Sequence, residues 1–235
     1  MIIPARFNGP PTSGNGGYTA GTMATEYAAH HGQPDGLEVT LRYPPPLDTR
    51  FEVRTEAAPV LDGTAVPIMR AFHGDTLIAE ATMNAVADDE VVAGVSASEA
   101  AERSATYLGF NAHPFPTCYV CGPQRDDGLR IFPGRVGDGR TAAPFVVPAD
   151  VSTEVMWAAL DCPGGWAVHQ ELRAYVLGRM AARVDALPAP GETCVAMGEL
   201  LGEDGRKAHV RTSVYSAAGK LLATARATWI ALPPS

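Results

Sequence analysis

The sequence predicts an α+β protein in which two matched halves each wrap an antiparallel sheet around a buried helix. Two observations lead to this prediction: a weak internal repeat spans the chain, and strand-like stretches in both halves carry alanines on one face. The chain has 235 residues, of which 46% are apolar and 19% are charged, which is a globular composition. At about 150 residues per domain, the length of the chain corresponds to about one and a half domains. The repeat instead divides the chain into two small halves.

The internal repeat is clearest between segments 62–87 and 204–231. Each begins with Asp-Gly and continues as an extended stretch, a turn and a second extended stretch, LIAEATM in one and LLATARA in the other. A second match lies upstream, where GGY at 16–18 and GGW at 164–166 each open an apolar stretch. Because the features come in the same order in both copies, we interpret the chain as a duplication rather than a chance likeness between two meanders.

Hydrophobic periodicity places one helix in each half. Residues 18–31 bring Met23 and Tyr27 near one face, and Gly32 ends the run. Residues 166–184 carry apolar side chains at clearer helical spacing, so we expect the second central helix to cover them.

Strands follow the proline-rich turns behind both helices. Alternate residues of the last strand share one face, and a strand of the first half repeats the pattern: Ala223, Ala225, Ala227 and Trp229 in one, Ala79, Ala81 and Met83 in the other. Small side chains on a sheet face let a helix approach closely, which fits a long antiparallel sheet around a buried helix.

A segment that is first acidic, then rich in serine and alanine, and finally rich in proline separates the halves. We expect the first repeat to cover residues 1–90, the linker residues 91–117 and the second repeat residues 118–235. A short linker helix near residues 98–104 would be capped by Ser98. Since each central helix is covered only when the two sheets join, the halves are expected to form one compact pseudo-dimer.

Charge and composition exclude several classes of protein. The net charge is −8, whereas general nucleic-acid-binding proteins carry a basic excess. No stretch approaches the roughly 20 apolar residues that a membrane helix needs, and the first residues lack a signal-peptide pattern. The 4 cysteines are too few for a disulfide scaffold. We therefore expect a soluble, reduced, cytoplasmic protein that uses no cofactor.

Three segments resemble a known family. CYVCGPQRDDGLRIFPG (118–134), WAALDCPGGWAV (157–168) and FNGPPTSGNGGYTAG (7–21) resemble motifs of the hotdog-fold acyl-CoA thioesterases, in their fused double-hotdog, phenylacetyl-CoA-thioesterase-like form. The resemblance implies a double hotdog, in which two tandem hotdog repeats form an intramolecular pseudo-dimer. It also implies an acyl-thioester hydrolase acting on acyl-CoA, and further assembly into a homo-oligomer.

The chain departs from that family at two positions. The family's histidine before Gly-Gly is Asn15 in the first half and Pro163 in the second. An acid commonly follows about eight residues after the first glycine, and those positions are Ala24 and Leu172 here.

Thioester hydrolysis needs a polarised carbonyl and an activated water. The free N–H groups of a helix start stabilise the developing oxyanion, and glycines let the carbonyl come close. The two expected helix starts, which would bind the substrate, are Gly16, Gly17 and Tyr18 in the first half and Gly164, Gly165 and Trp166 in the second. A tight entry turn followed by a packing aromatic is the alternative interpretation of both.

A carboxylate would activate the water. The candidate catalytic residues are Glu26, Glu171, Asp161 and Asn15. By the family's pattern the two glutamates would each serve the helix start of the opposite half, although both also fit as solvated helix charges. Asp161 has the alternative role of capping the second helix. Asn15 would orient a water or donate to the carbonyl, with a loop cap as its alternative.

The cysteines form only part of a metal motif. Cys118-x-x-Cys121 supplies two of the four ligands of a zinc site, and the sequence has no second pair at that spacing, so no metal is expected. Convergence of Cys162, Cys194 or His113 in space stays an open alternative. A nucleophilic Cys162 is a further one, because a helix N-terminus lowers a thiol pKa, but it lacks a recognisable partner.

Two other functions remain open at this point. The missing family histidine favours a non-hydrolytic acyl- or CoA-ester-binding protein, and the fold also serves enoyl-CoA hydratases, which usually pair a histidine with a carboxylate. A CoA ligand would need local cations, and the arginines near the start of the second repeat are Arg125, Arg130, Arg135 and Arg140. Each of them also fits as an ordinary solvated charge.

Overall fold

The computed structural model describes residues 1–59, 65–168 and 173–233. The first half contains α1 (Gly16–His31), β1 (Leu37–Leu41), β2 (Glu52–Pro59), β3 (Ala65–His73) and β4 (Thr76–Met83). The helix α2 (Ala97–Ser104) lies between the halves. The second half contains β5 (Gly134–Gly137), β6 (Arg140–Val146), α3 (Thr153–Ala159), α4 (Cys162–Val168), β7 (Tyr175–Val184), β8 (Thr193–Asp204), β9 (Lys207–Ser216) and β10 (Leu221–Ala231).

The strands of the described residues form one antiparallel sheet in the order β2-β3-β4-β1-β7-β10-β9-β8-β6-β5. The halves join where β1 pairs with β7, with Leu37 opposite Ala182 and Thr40 opposite Arg179. The expected long antiparallel sheet, shared by two halves, is confirmed. The Asp-Gly pair at 62–63 lies outside the described residues, and its counterpart at 204–205 lies at the turn between β8 and β9.

Helices α1 and α4 lie against one face of this sheet, whereas α2 packs on the opposite face of β6 and β8, in a separate apolar cluster. Helix α1 contacts β1, β4 and β7, while α4 contacts β8, β6 and β9. Met23 and Tyr27 of α1 are buried, as the periodicity predicts. The alanine rows are buried too: Ala79, Ala81, Ala223, Ala225 and Ala227. Small side chains therefore let the helices approach the sheet closely.

The expected helix over residues 166–184 is wrong for most of its length. Residues 162–168 form α4, but residues 175–184 form the strand β7. Tyr175 and Leu177 are buried with Val176 between them partly exposed, so the segment alternates at its start as a strand does. The apolar residues of this segment fit a helical spacing as well as a strand. The segment forms a strand because β1 and β10 both hydrogen-bond to it.

The linker helix is found close to where it was expected. Helix α2 begins at Ala97, and Ser96 rather than Ser98 is its N-cap, because the Ser96 hydroxyl accepts a hydrogen bond from the Glu99 backbone N–H. The side chains of Ser96 and Ser98 also hydrogen-bond to each other. None of the helices in the described residues is long and apolar enough to cross a membrane.

Candidate functional site

The start of α1 packs directly on the break between α3 and α4. A Cβ atom at Gly17 would lie 2.5 Å from the carbonyl oxygen of Trp157 and 2.6 Å from Cβ of Asp161. Real side chains do not come this close, so only glycine permits the contact. The glycine identified from the sequence is therefore required for the approach of the two helices.

Asp161 occupies this junction. Its Oδ2 accepts hydrogen bonds from the backbone N–H of Gly17 at 3.0 Å and from Nδ2 of Asn15 at 2.8 Å. Its Oδ1 is buried and accepts no hydrogen bond from the described residues. Burial raises the pKa of Asp161 to about 7, and the bonds from Gly17 and Asn15 oppose that rise. A buried carboxylate oxygen without a partner is uncommon in a folded protein and marks a candidate functional group.

Asn15 is the N-cap of α1 and the second partner of Asp161. Its Oδ1 accepts from the Tyr18 N–H, so its Nδ2 is left to donate to Asp161. The same Nδ2 lies 3.9 Å from Sγ of Cys118. The residue at the family's histidine position thus caps the helix and fixes the carboxylate at once.

The two halves are related by a pseudo-two-fold that equates residues 137 positions apart. A Cβ at Gly17 would lie 3.0 Å from Cα of Ala158, and one at Gly21 would lie 2.7 Å from Cα of Glu154. These two contacts are equivalent, because Glu154 is the counterpart of Gly17 and Ala158 is the counterpart of Gly21 at this offset. The N-caps of α1 and α3 are related by the same offset. The Asn15 side chain accepts a hydrogen bond from the Tyr18 N–H, and the Ser152 side chain accepts one from the Val155 N–H.

This symmetry shows that only one copy of the junction is equipped with an acid. Asp161 corresponds to position 24, which is Ala24, so the start of α3 lacks the carboxylate that the start of α1 meets. Thr153 is the first residue of α3, and Asp161 lies eight residues after it. The acid that the resemblance placed at Leu172 is therefore found at Asp161.

The second Gly-Gly pair lies in the first turn of α4 rather than at its first residue. Gly164 and Gly165 lie inside α4, two and three residues after its first residue. A Cβ at Gly164 would lie 2.6 Å from Cγ2 of Val210, and one at Gly165 would lie 2.5 Å from the Trp229 ring. These glycines allow α4 to pack on the sheet. The helix begins at Cys162, two residues earlier than expected, and Gly165 lines the main cavity.

The aromatic residues after the two glycine pairs have different surroundings. Tyr18 stacks on Phe7 with ring centroids 3.7 Å apart, and burial raises its pKa to about 12. Trp166 lines the main cavity and contacts the rings of Tyr107 and His113. Trp166 is thus placed to contact a ligand in that cavity, while Tyr18 supports the N-terminal loop.

The main cavity has a volume of about 440 Å³ and lies between the halves. Its walls come from the loop before α1, the turn after β1, residues 113–121, the start of α4, and strands β7 and β10. Gly16, Asn15 and Asp161 lie on the wall. Most of the remaining surface is apolar, including Phe115, Val176, Leu177, Trp229 and Ile230. An apolar cavity with a few polar groups at its wall is the usual form of a small-molecule site.

Glu26 does not line this cavity. Glu26 lies on α1 beside a shallow second depression, and its Oε1 is 3.5 Å from Nε2 of His30. The structure therefore does not bring Glu26 to the cavity that Gly165 lines, although the sequence analysis had paired the two. Glu171 lies outside the described residues.

Replacing Glu26 by glutamine provides a test of this assignment. Because Glu26 lies away from the main cavity and its ion pair with His30 is exposed, we expect Glu26→Gln to retain the activity of the native protein within about twofold. Steady-state rates of thioester hydrolysis, the activity that the family resemblance implies, measure it for the two purified proteins. A tenfold loss would show that the acid acts from α1 after all.

Three of the cysteines converge at the cavity wall. The sulfurs of Cys118, Cys121 and Cys162 lie within 4.8 Å of one another, and those of Cys118 and Cys162 are 3.9 Å apart. All three are buried free thiols. Burial raises the pKa of Cys162, whereas hydrogen bonds from the other two thiols lower the pKa of Cys118. Cys162 is 44 residues from Cys118 in sequence, so spacing alone gave no sign of this cluster.

The expected arginine patch is largely neutralised by local acids. Arg125 pairs with Asp127 and also donates to Oδ1 of Asn8. Arg130 pairs with Asp126, and Arg140 pairs with Asp138. These arginines stabilise loops and do not form an open phosphate site.

Comparison with known proteins supports the fold and leaves the activity open. Three solved structures match 99% of this chain: a candidate thioesterase from Novosphingobium aromaticivorans (14% identity, 94% of that chain, TM-score 0.67), the TesB protein of Mycobacterium avium subs paratuberculosis (12%, 91%, 0.62) and a conserved hotdog-fold protein of unknown function from Alicyclobacillus acidocaldarius (16%, 92%, 0.61). No protein-family model matches the chain, and no curated protein matches it in sequence. The double-hotdog fold expected from the sequence is confirmed.

Proposed function

We propose that the protein is an acyl-thioester hydrolase with a single working site, at the junction of α1 with the α3–α4 break. The observation that supports this most strongly is Oδ1 of Asp161, a buried carboxylate oxygen without a described partner at the wall of an apolar cavity. The Novosphingobium aromaticivorans neighbour, which is named as a thioesterase, agrees with the proposal at the level of fold.

In the proposed reaction Asp161 is the general base. Its Oδ2 is fixed by Gly17 and Asn15, which leaves Oδ1 to accept a proton from a water in the cavity. The oxygen of that water attacks the thioester carbonyl carbon, and the carbonyl π electrons move to the oxygen. The intermediate then expels the sulfur, which takes the proton from Asp161. The products are a carboxylic acid and a thiol, and the base is regenerated.

The start of α1 would stabilise the oxyanion. Among the N–H groups of its first turn, that of Gly17 is bound by Asp161 and that of Tyr18 by Asn15. The N–H of Gly16, which lines the cavity, makes no hydrogen bond with the described residues and is the donor we assign to the carbonyl oxygen. One preorganised donor of this kind contributes about 10²–10³ in rate.

We propose acyl-CoA as the substrate class. The cavity volume of about 440 Å³ suits a small or medium acyl group, and its Phe115, Leu177 and Trp229 surfaces suit an apolar one. Arg125 and Arg130 are paired with acids, so we place most of the binding energy in the acyl and pantetheine parts. Cytoplasmic location and assembly into a homo-oligomer accompany this proposal as predictions.

A panel of acyl-CoA esters tests the proposal. We expect release of free thiol, detected with a thiol reagent, from esters whose acyl groups fit the cavity, and slower release from long-chain esters. Acyl-pantetheine esters should be hydrolysed with a similar turnover number, since Arg125, Arg130 and Arg140 are paired with acids. Binding of the esters without any turnover would favour the non-hydrolytic alternative, and conversion of an enoyl-CoA to a hydroxyacyl-CoA would favour the hydratase.

A further inference from the structure

The cysteine cluster at the cavity wall has the geometry of a metal site. With zinc–sulfur bonds of about 2.3 Å, the sulfurs of a tetrahedral site lie about 3.8 Å apart. The Cys118 and Cys162 sulfurs are 3.9 Å apart, and all three lie within 4.8 Å of one another. Shifts of less than about 1 Å would therefore bring three sulfurs to equal distances from one ion.

The backbone around Cys118 is shaped as in a metal-binding knuckle. The N–H groups of Val120 and Cys121 hydrogen-bond to the Cys118 side chain, so the turn wraps its own backbone around that sulfur. Gly122 closes the turn by donating to the carbonyl of Cys118 at 2.9 Å. A Cβ at Gly122 would lie 2.5 Å from the Cys118 nitrogen, so the tight turn needs glycine after the second cysteine.

Further N–H groups lie close to the sulfurs of Cys121 and Cys118. The backbone N–H of Phe115 donates to Nδ1 of His113 at 2.8 Å, so a neutral ring carries its proton on Nε2. That Nε2 lies 3.4 Å from Sγ of Cys121, and Trp166 also hydrogen-bonds this cysteine. Asn15 lies 3.9 Å from Sγ of Cys118. Donors of this kind orient metal-bound thiolates and offset their negative charge.

We propose that Cys118, Cys121 and Cys162 bind one zinc ion as thiolates. Zinc is the ion we assign because thiolates select zinc among the common divalent ions, and the buried sulfurs converge without forming disulfides. Three protein ligands leave one position of the tetrahedron for a water from the cavity that these residues line. In this arrangement His113 does not bind the ion but donates a hydrogen bond to Cys121, one of the zinc ligands. The ion would tie the loop before β5 to the start of α4.

Metal binding is measured without substrate, so its outcome is independent of the proposed hydrolysis. We expect protein purified without chelator to contain about one zinc per chain by elemental analysis. Replacement by cobalt should give the thiolate-to-cobalt absorption of a site with several sulfur ligands. Zinc should also raise the unfolding temperature of the metal-free, reduced native protein, because it binds the folded state.

Variants locate the site. Cys118→Ser, Cys121→Ser and Cys162→Ser should each remove the cobalt absorption and weaken zinc binding more than about 100-fold, beyond the effect typical of partners outside the ligand shell. His113→Gln should weaken binding about 10- to 100-fold. Cys194→Ser is the matched control, since Cys194 is another buried free thiol outside the cluster, and this variant should bind zinc as the native protein does.

Two results would overturn the proposal. One is a folded, fully reduced native protein that takes up no zinc and shows no rise in unfolding temperature with zinc. The other is equal zinc binding by the native protein and by a variant with all three cysteines replaced by serine. The first result can be read even where a variant folds poorly, because it uses only the native chain.

Discussion

Asp161→Asn should lower the turnover number for thioester hydrolysis by at least 100-fold. The amide oxygen can still accept from Gly17 and Asn15, so the junction keeps its shape, but the group in place of Oδ1 no longer takes a proton from water. Loss of a positioned general base typically costs about 10²–10⁴ in rate. Steady-state kinetics on the preferred ester measure the effect, and KM should change little because Asp161 is not assigned to substrate binding.

The same substitution should not destabilise the protein. Burying a carboxylate is costly, and a neutral amide of the same size avoids that cost, so we expect an unfolding temperature equal to or above that of the native protein. Glu26→Gln serves as the matched control for loss of an acid outside the cavity. Turnover by Asp161→Asn within fivefold of the native value would contradict the assignment of the base.

Gly17→Ala should lower both stability and activity. The added methyl group would lie 2.5 Å from the Trp157 carbonyl oxygen and 2.6 Å from Cβ of Asp161, and the first of these contacts is with backbone that cannot rotate away. Overpacking of this kind costs about 1–3 kcal/mol, and we expect about 2 kcal/mol of unfolding free energy to be lost. The helices must separate to relieve the contact, which lengthens the hydrogen bond from Gly17 to Asp161.

Denaturant unfolding and steady-state kinetics together check this prediction. Gly202→Ala is the control, because a Cβ at Gly202 would meet no atom within 4 Å, and its unfolding free energy should change by less than about 0.5 kcal/mol. If Gly17→Ala were as stable and as active as Gly202→Ala, the close approach of α1 to Asp161 would not matter for the site.

The architecture was largely predictable from the sequence. The repeat, the alanine rows and the helix over 18–31 together indicated two joined halves with buried helices, and the structure confirms the sheet and α1. The segment 175–184 could not be assigned correctly, because Tyr175, Val176 and Met180 fit a helical face as well as a strand. The partners that decide the matter, β1 and β10, are distant in sequence.

The site was predictable only in part. Asn15, Gly16, Gly17 and Asp161 were all candidates, and the structure brings them together. Their relation was missed because the repeat was aligned on its two Gly-Gly pairs, which do not occupy equivalent places. The signal that could have corrected this is Ser152 followed by Thr-Glu, which is typical of a capped helix start. Asp161 lies eight residues after Thr153, the first residue of that helix.

The convergence of the cysteines could not have been found from spacing. Cys118 and Cys121 lie in a loop, Cys162 begins a helix, and only the packing of that helix against the loop brings the sulfurs together. Cys194, the fourth cysteine, lies on β8 outside this group.

A crystal structure of Asp161→Asn with a bound acyl-CoA ester tests the central claim most directly. We expect the acyl group in the main cavity, the thioester carbonyl oxygen within hydrogen-bond distance of the Gly16 N–H, and the carbonyl carbon within reach of the side chain at position 161 through one water. An ester bound with its carbonyl at the start of α3, beside Ala24, or outside the cavity would contradict it.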